Sequence, residues 1–399
     1  MKGPLEGIVV ADFCWVGAGS YTTKILADHG ADVIKIESSA KVDGLRLSPP
    51  YADGRPGVNR SGYFADRNSS KRSLALNMKY PKARELARKL VERADVVANN
   101  FTPGTMDRFG LGWDDVRAFN PSIVYLAMSM QGSTGPHRDH LGYGLTMGAL
   151  VGLHHLIGEP DGEPVGTGTN YPDHVPNPGH AAFAVLAALR HRRRTGEGQY
   201  IDLAQIEPTV AVLGPTFLEW SFNGADVGRR GNRHRWYAPH GIFRAADHQW
   251  LALAVIDDAQ WVNLCEVLGL AGGSGQDSAW RRANVEVIEE QVASAVARFS
   301  ADELERMLRG LGIPAARVLD ASDVLSDPQL GYREHWQRLP HAEMGDSLYG
   351  APPMRLSRTP GGLNRPAPLL GEHTVEICKE VFGLQTNEIE ALSQEGVLS

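Results

Sequence analysis

The chain is poor in the features that mark secreted, membrane-embedded or metal-dependent proteins. Its 399 residues include three cysteines, Cys14, Cys265 and Cys378, with no C-x-x-C spacing. Scattered thiols of this kind make neither a disulfide framework nor a zinc site, and they suit a reducing compartment. No run of eighteen apolar residues occurs, so no membrane span or membrane partner is expected. The start, Met-Lys-Gly-Pro-Leu-Glu-Gly, lacks the order of a signal peptide, and a cytoplasmic location is the expectation. Charge of one sign is not concentrated either. The formal net charge is -7, with acids and bases mixed along the chain. A nucleic-acid partner is therefore not expected, because phosphate binding needs a concentrated basic face. The densest basic run, Arg190 to Arg194, reads as the end of a helix, where cations offset the dipole. Histidines fall in loose pairs, such as His137 with His140, and none has a ligand spacing. With H-E-x-x-H and G-x-S-x-G also missing, no metal site is expected.

What is present points to an α/β protein. At 42% hydrophobic and 22% charged residues the composition is ordinary for a globular chain, and its length favours two domains. Gly7–Phe13 is a short apolar run suited to a buried parallel strand. Gly17-Ala18-Gly19-Ser20 then turns the chain, Tyr21–His29 reads as helix, and Ala31–Glu37 as the next strand. That βαβ unit seeds a doubly wound, Rossmann-like sheet. The pattern recurs in the helix Pro81–Ala94, the strands Asp95–Ala98 and Ser122–Met128, an all-round apolar helix Ala181–Leu189, and the strand Tyr200–Leu203. Past about Pro208 the character changes. Ser221–His240 reads as linker or loop, Gly241–Val255 alternates like strand, and two helices follow, the second capped at Ser300. The expected division is a large domain over residues 1–210, a smaller α+β domain over 225–325, and a segment from 340 to 399 that returns to the large domain.

Two local patterns carry chemistry. Gly17-Ala18-Gly19, followed twenty residues later by Glu37, half-matches a dinucleotide fingerprint, but Thr22 stands where the third glycine belongs. Asp173 lies in Asn170-Tyr-Pro-Asp-His-Val-Pro-Asn-Pro-Gly179, just before the apolar helix. There it reads as a helix cap, or as a carboxylate that attacks a thioester beside N–H groups able to hold an oxyanion. Both readings stand.

Read in order, further segments resemble the family III CoA-transferases. They include P-L-E-G-I-V-V-A-D-F at 4–13, G-A-D-V-I-K-I-E at 30–37, N-S-S-K-R-S-L-A-L-N-M-K at 68–79 and N-F-T-P-G-T-M-D-R-F-G at 100–110. Others are V-L-A-A-L-R-H-R-R-R-T-G-E-G-Q at 185–199, G-I-P-A-A-R-V at 312–318 and R-P-A-P-L-L-G-E-H-T at 365–374. The resemblance implies an interlocked homodimer acting on acyl-CoA and carboxylic acid substrates, with coenzyme A as substrate and no cofactor. It implies Asp173 as nucleophile, forming anhydride and aspartyl-CoA thioester intermediates. Val16, Asn100, Phe101 and Arg108 would line the CoA site, with Lys71 and Arg72 near its phosphates; Trp15, Gly17 and Tyr143 would meet the substrate. Trp15, Trp220, Trp236 and Tyr237 hint at a bulky acyl group. Gly17 replaces a frequent glutamine, Ser38 a frequent arginine, and the family's glycine-rich loop is reduced to Gly228 and Gly231. The alternatives are an α-methylacyl-CoA racemase, with His140 near the place of its base, a nicotinamide dehydrogenase built on the Gly17 turn, and a non-catalytic subunit of a heteromeric transferase.

Overall fold

A computed structural model describes residues 3–399. Six parallel strands form one sheet: β1 (Val9–Asp12), β2 (Asp32–Glu37), β3 (Arg72–Ala75), β4 (Val96–Asn99), β5 (Val124–Ala127) and β6 (Gln199–Asp202). Their spatial order is β3-β2-β1-β4-β5-β6, so the winding reverses between β1 and β4. That is the order of a doubly wound sheet, whose ligands sit at the carboxyl ends of the strands near the reversal. The strands are nearly continuous apolar runs because both faces are covered. Alternate side chains feed two cores. Ala11, Ile34, Val97 and Tyr125 join one, whereas Val10, Val33, Val96 and Val124 join the other.

The helices that position the site are α1 (Val16–Asp28), α2 (Gly62–Asn68), α3 (Pro81–Arg93), α4 (Thr105–Arg108), α5 (Trp113–Phe119), α6 (Gly144–Leu150), α7 (Tyr171–His174), α8 (Pro176–Thr195), α9 (Ile206–Val212) and α10 (Gly214–Asn223). α3 follows the expected pattern: Ala83, Leu86, Ala87, Leu90 and Val91 are buried on one face. α8 ends at Gly196, whose φ of +80° is the left-handed conformation that glycine adopts at a helix end.

Two expectations about these helices need correction. α1 begins at Val16, five residues before the expected start, so the glycines lie in its first turn rather than in a loop. α8 is not buried all round. Phe183 is 73% exposed and Leu186 44%, because no second layer of the described residues covers that side.

The chain divides into two compact units. One comprises the described residues up to Leu153, Gly166–Ala225 and Gln329–Ser399; the other comprises His154–Val165 and Asp226–Pro328. The second unit therefore also takes in a short segment that the sequence reading left in the large domain. Within it, β7 (His240–Arg244), β8 (Trp250–Ala254) and β9 (Ala315–Arg317) form an antiparallel sheet. Four helices follow β8 where two were expected: α11 (Asp258–Leu268), α12 (Ser278–Ala283), α13 (Val285–Val296) and α14 (Ala301–Gly310). Ser300 caps α14 as its spacing suggested, accepting from the Glu303 N–H at 3.3 Å. In the first unit, the hairpin of β10 (Trp336–His341) and β11 (Gly345–Gly350) was not anticipated. Tyr349 of β11 packs with Leu45, Phe64 and Ala367.

Candidate active site

The approach to α1 is fixed by buried polar groups. The Trp15 N–H donates to Asn100 Oδ1 at 2.8 Å, and Asn100 Nδ2 donates to the Trp15 carbonyl at 2.6 Å. The Val16 N–H donates to Asp43 Oδ1 at 3.0 Å. Lys35 Nζ, itself paired with Asp43 at 2.9 Å, donates to the Cys14 carbonyl at 2.6 Å. Held this way, Val16 keeps a φ of +59°, a region that β-branched residues avoid. Such strain persists only where the surroundings over-determine it. The first N–H groups of α1 have no acceptor within the helix, and their partial positive charge meets whatever lies in front.

Asp173 packs against Gly17 in this first turn. It sits in α7, is 6% exposed, and its carboxylate accepts from the N–H of Gly144, the first residue of α6. Burial pushes its pKa up to about 6, and the Gly144 hydrogen bond only partly offsets this. Two glycines let the backbone come this close. A Cβ at Gly17 would lie 3.0 Å from the Asp173 Cβ, and one at Gly144 would lie 2.9 Å from Asp173 Oδ2. Its neighbour His174 also packs on Gly17, with Cε1 3.2 Å from that Cβ position, and places Nε2 2.8 Å from the Tyr63 hydroxyl. The sequence reading placed Asp173 at the start of the long apolar helix. Instead it occupies a separate turn before α8, and the N–H that meets it comes from α6.

Asp173 lines a cavity of about 730 Å³ that crosses the carboxyl edge of the sheet. Its walls run from Asn77–Lys79 after β3, through Ser38 after β2, Trp15–Ala18 after β1 and Asn100–Pro103 after β4, to Ser129 and Met130 after β5 and Gln205 after β6. Trp15, Val16, Gly17, Asn100, Phe101, Arg108, Tyr143 and Asp173, all singled out from sequence, line this one space.

Lys71 and Arg72 are not brought to it. Lys71 has no exposed surface, and its Nζ is surrounded by Asp12 Oδ2 at 3.0 Å, the Ser20 carbonyl at 2.9 Å, Thr23 Oγ1 at 2.7 Å and Asn68 Oδ1 at 2.9 Å. Arg72 joins Asp32 on β2 to Glu376 and Glu380 on the helix Thr374–Glu380. Both cations are engaged by the fold. Lys41, Lys79 and Arg138 line the cavity along with Arg108. Lys79 ends the 68–79 motif and Lys41 stands three residues past Ser38, so a count of cations just after each strand would have found them. Trp220, Trp236 and Tyr237 do not line the cavity; Trp220 and Trp236 are exposed at 62% and 59%. Gly144 was passed over, although it directly follows Tyr143.

The dinucleotide reading of the first glycines is also displaced. Gly17 abuts Asp173, and a Cβ at Gly19 would lie 2.7 Å from the Cys14 Cβ and 2.9 Å from the Asn100 side chain. These glycines allow close packing rather than the approach of a pyrophosphate. Among the described residues there is no group of three or more His, Cys, Asp or Glu able to hold a metal, and no helix long and apolar enough to cross a membrane.

Comparison with known proteins identifies the family. The family model of CoA-transferase family III matches residues 5–374. A succinyl-CoA:mesaconate CoA-transferase from Haloarcula hispanica is 34% identical, over 98% of this chain and 99% of its own. A succinate–glutarate CoA-transferase from Agrobacterium fabrum is 33% identical over 95% of this chain and 96% of its own. The crystal structure of a CAIB/BAIF family protein from Brucella suis superposes with a TM-score of 0.84 at 30% identity, covering 96% of this chain and all of that one. With the family's sequence matched nearly end to end and its fold reproduced around a buried aspartate, the chain is an enzyme of the family III CoA-transferases.

Proposed function

We propose that this enzyme moves coenzyme A from a succinyl-CoA-like donor to a short dicarboxylic acid, with Asp173 as the covalent nucleophile. The observation that carries this reading is Asp173, a carboxylate 6% exposed, lining a cavity long enough for an extended thioester, while Glu37, the other carboxylate lining it, is bound by Arg46 at 2.7 Å. At about 4.8 Å between strands, a slot crossing six of them is roughly 24 Å long. Lys41, Lys79 and Arg108 suit the phosphates of CoA, and the arginine fork adds bidentate geometry. The substrate class comes from the relatives, named for succinyl-CoA with mesaconate or glutarate.

The steps follow from carboxylate chemistry. An Asp173 oxygen attacks the thioester carbonyl, the C–S bond breaks, and CoA leaves as thiolate from a mixed anhydride. The thiolate attacks the aspartyl carbonyl of that anhydride, which gives aspartyl-CoA thioester and releases the donor acid as carboxylate. The acceptor carboxylate then attacks this thioester, forming a second anhydride and freeing the thiolate again. Attack of the thiolate on the acceptor's carbonyl yields the new CoA ester and restores Asp173. One hard exchange becomes four easier displacements. No proton is transferred in any of them, so no general base is required. A carboxylate with a pKa of about 6 is about nine-tenths ionised at pH 7. The Gly144 N–H holds the attacking carboxylate, and the first turn of α1, packed against Asp173 through Gly17, supplies a positive dipole end beside the carbonyls that become oxyanions.

A racemase reading retains one observation in its favour, since His140 lines the same cavity. Exchange of the substrate's α-proton with deuterated solvent in the absence of an acceptor acid would establish it. Under the transferase reading no such exchange occurs, CoA passes to the acceptor acid, and Asp173→Ala abolishes transfer while CoA still binds.

The working state is an interlocked homodimer. Phe183 and Leu186 on α8, with Phe217, Leu218, Trp220 and Phe222 on α10, are large exposed apolar side chains of the kind a partner covers. Light scattering should give twice the chain mass; a monomer contradicts this.

A further inference from the structure

A four-residue helix has no stability of its own, so the contacts of α7 decide where Asp173 points. Tyr63, on α2, makes two of them. Its hydroxyl lies 2.8 Å from His174 Nε2, and its ring meets the imidazole edge-on at 5.8 Å and 71°. The same phenol is hydrogen-bonded by the Asn170 side chain. Asn170 is the N-cap of α7 and His174 its last residue, so one hydroxyl grips both ends of the turn that carries Asp173.

The charge states follow from the surroundings. Burial, then the positive charge of Arg67, pushes the His174 pKa down to about 4, and burial raises that of Tyr63. Both are neutral at pH 7, so the hydrogen bond between the phenol and Nε2 joins two uncharged groups. The charged groups acting on the pair are Arg67 and Asp66 of α2 and Asp173 itself. α1 and α6, which also pack against α7, turn Gly17 and Gly144 toward it; α8 and α9 complete the packing. Tyr63 is not among the residues lining the cavity.

We propose that Tyr63 is a positioning residue: through His174 and Asn170 it holds the Asp173 carboxylate in its dry place between Gly17 and Gly144. The inference rests on Asp173 being the nucleophile.

Tyr63→Phe keeps the ring and removes the hydroxyl. The expected result is a kcat lowered about tenfold with the KM for the CoA ester within about twofold, because the residue acts on the nucleophile and not on substrate. The acidic limb of the kcat profile, near pH 6 in the wild type, should move toward the ordinary carboxylate range as a loosened Asp173 gains water. His174→Gln, which keeps an acceptor for the phenol, should behave as wild type, whereas His174→Leu should copy Tyr63→Phe. That pair decides the matter if Tyr63→Phe does not fold. Wild-type kcat and limb in Tyr63→Phe, or a KM that rises as far as kcat falls with the limb unmoved, overturns the positioning role. Trapping the acyl group separates the two levels. A wild-type label on another residue defeats the nucleophile assignment, while a label on Asp173 with Tyr63→Phe unaffected defeats only the role of Tyr63.

Discussion

Replacing Asp173 by asparagine should abolish transfer and, at neutral pH, make the protein more stable. The carboxylate is buried without a cation, and its pKa is raised from 3.8 to about 6. A folded-state pKa above the unfolded value means that the native protein holds its proton more tightly. Ionising the group therefore destabilises the fold as pH rises from about 4 to about 6, and the full cost persists above that. At about 1.36 kcal/mol per pH unit, the penalty at pH 7 to 8 is about 3 kcal/mol. Asparagine has nearly the same shape and keeps an oxygen for the Gly144 N–H, but carries no charge to desolvate. Thermal unfolding of wild type and Asp173→Asn, measured between pH 4 and pH 8, is the assay. The variant should melt several degrees higher at pH 8, with the gap closing toward pH 4. A variant equally or less stable at pH 8, or a gap independent of pH, would refute the claim that this carboxylate is held in a dry, uncompensated place. Function here works against stability.

Gly144→Ala tests the geometry from the other side. The added Cβ would lie 2.6 Å from the Asn170 Cβ and 2.9 Å from Asp173 Oδ2, so the nucleophile must shift, and kcat should fall about 100-fold while affinity for free CoA holds. Steady-state kinetics with calorimetric titration of CoA checks this. Initial rates of transfer should rise with pH through about 6 and then level, since the attacking form is the carboxylate; a rate that falls across that range would contradict the assignment. Lys71→Met, by stranding the buried Asp12 carboxylate, should cost about 3–5 kcal/mol of stability in denaturant titrations without weakening CoA binding in the folded fraction. Arg108→Ala should do the reverse, raising the KM for CoA esters with the melting temperature unchanged.

Much of this site could be read along the chain because its determinants are local. The strand pattern put Trp15, Val16 and Gly17 at the end of one strand and Asn100 and Phe101 at the end of another, the family resemblance singled them out, and the parallel sheet brings both ends to one edge. What could not be read depended on partners distant in sequence. The motif around Lys71 is basic and exposed in composition, but only the fold reveals Asp12, 59 residues away, as the acid that holds it. Asp173 stood out, yet its N–H donor belongs to α6 and not to the helix that follows it. The start of α1 was misplaced for a related reason. Glycine is a poor helix residue by propensity, and contact with Cys14, Asn100 and Asp173 overrides that preference.

The central claim is that one buried side chain becomes acylated during turnover. The direct measurement is to mix enzyme with succinyl-CoA, quench with hydroxylamine or borohydride, digest, and locate the modified residue by mass spectrometry. A hydroxamate or reduced side chain at Asp173, absent from Asp173→Asn, is the predicted result. An active preparation that carries the label elsewhere, or carries none, contradicts the account.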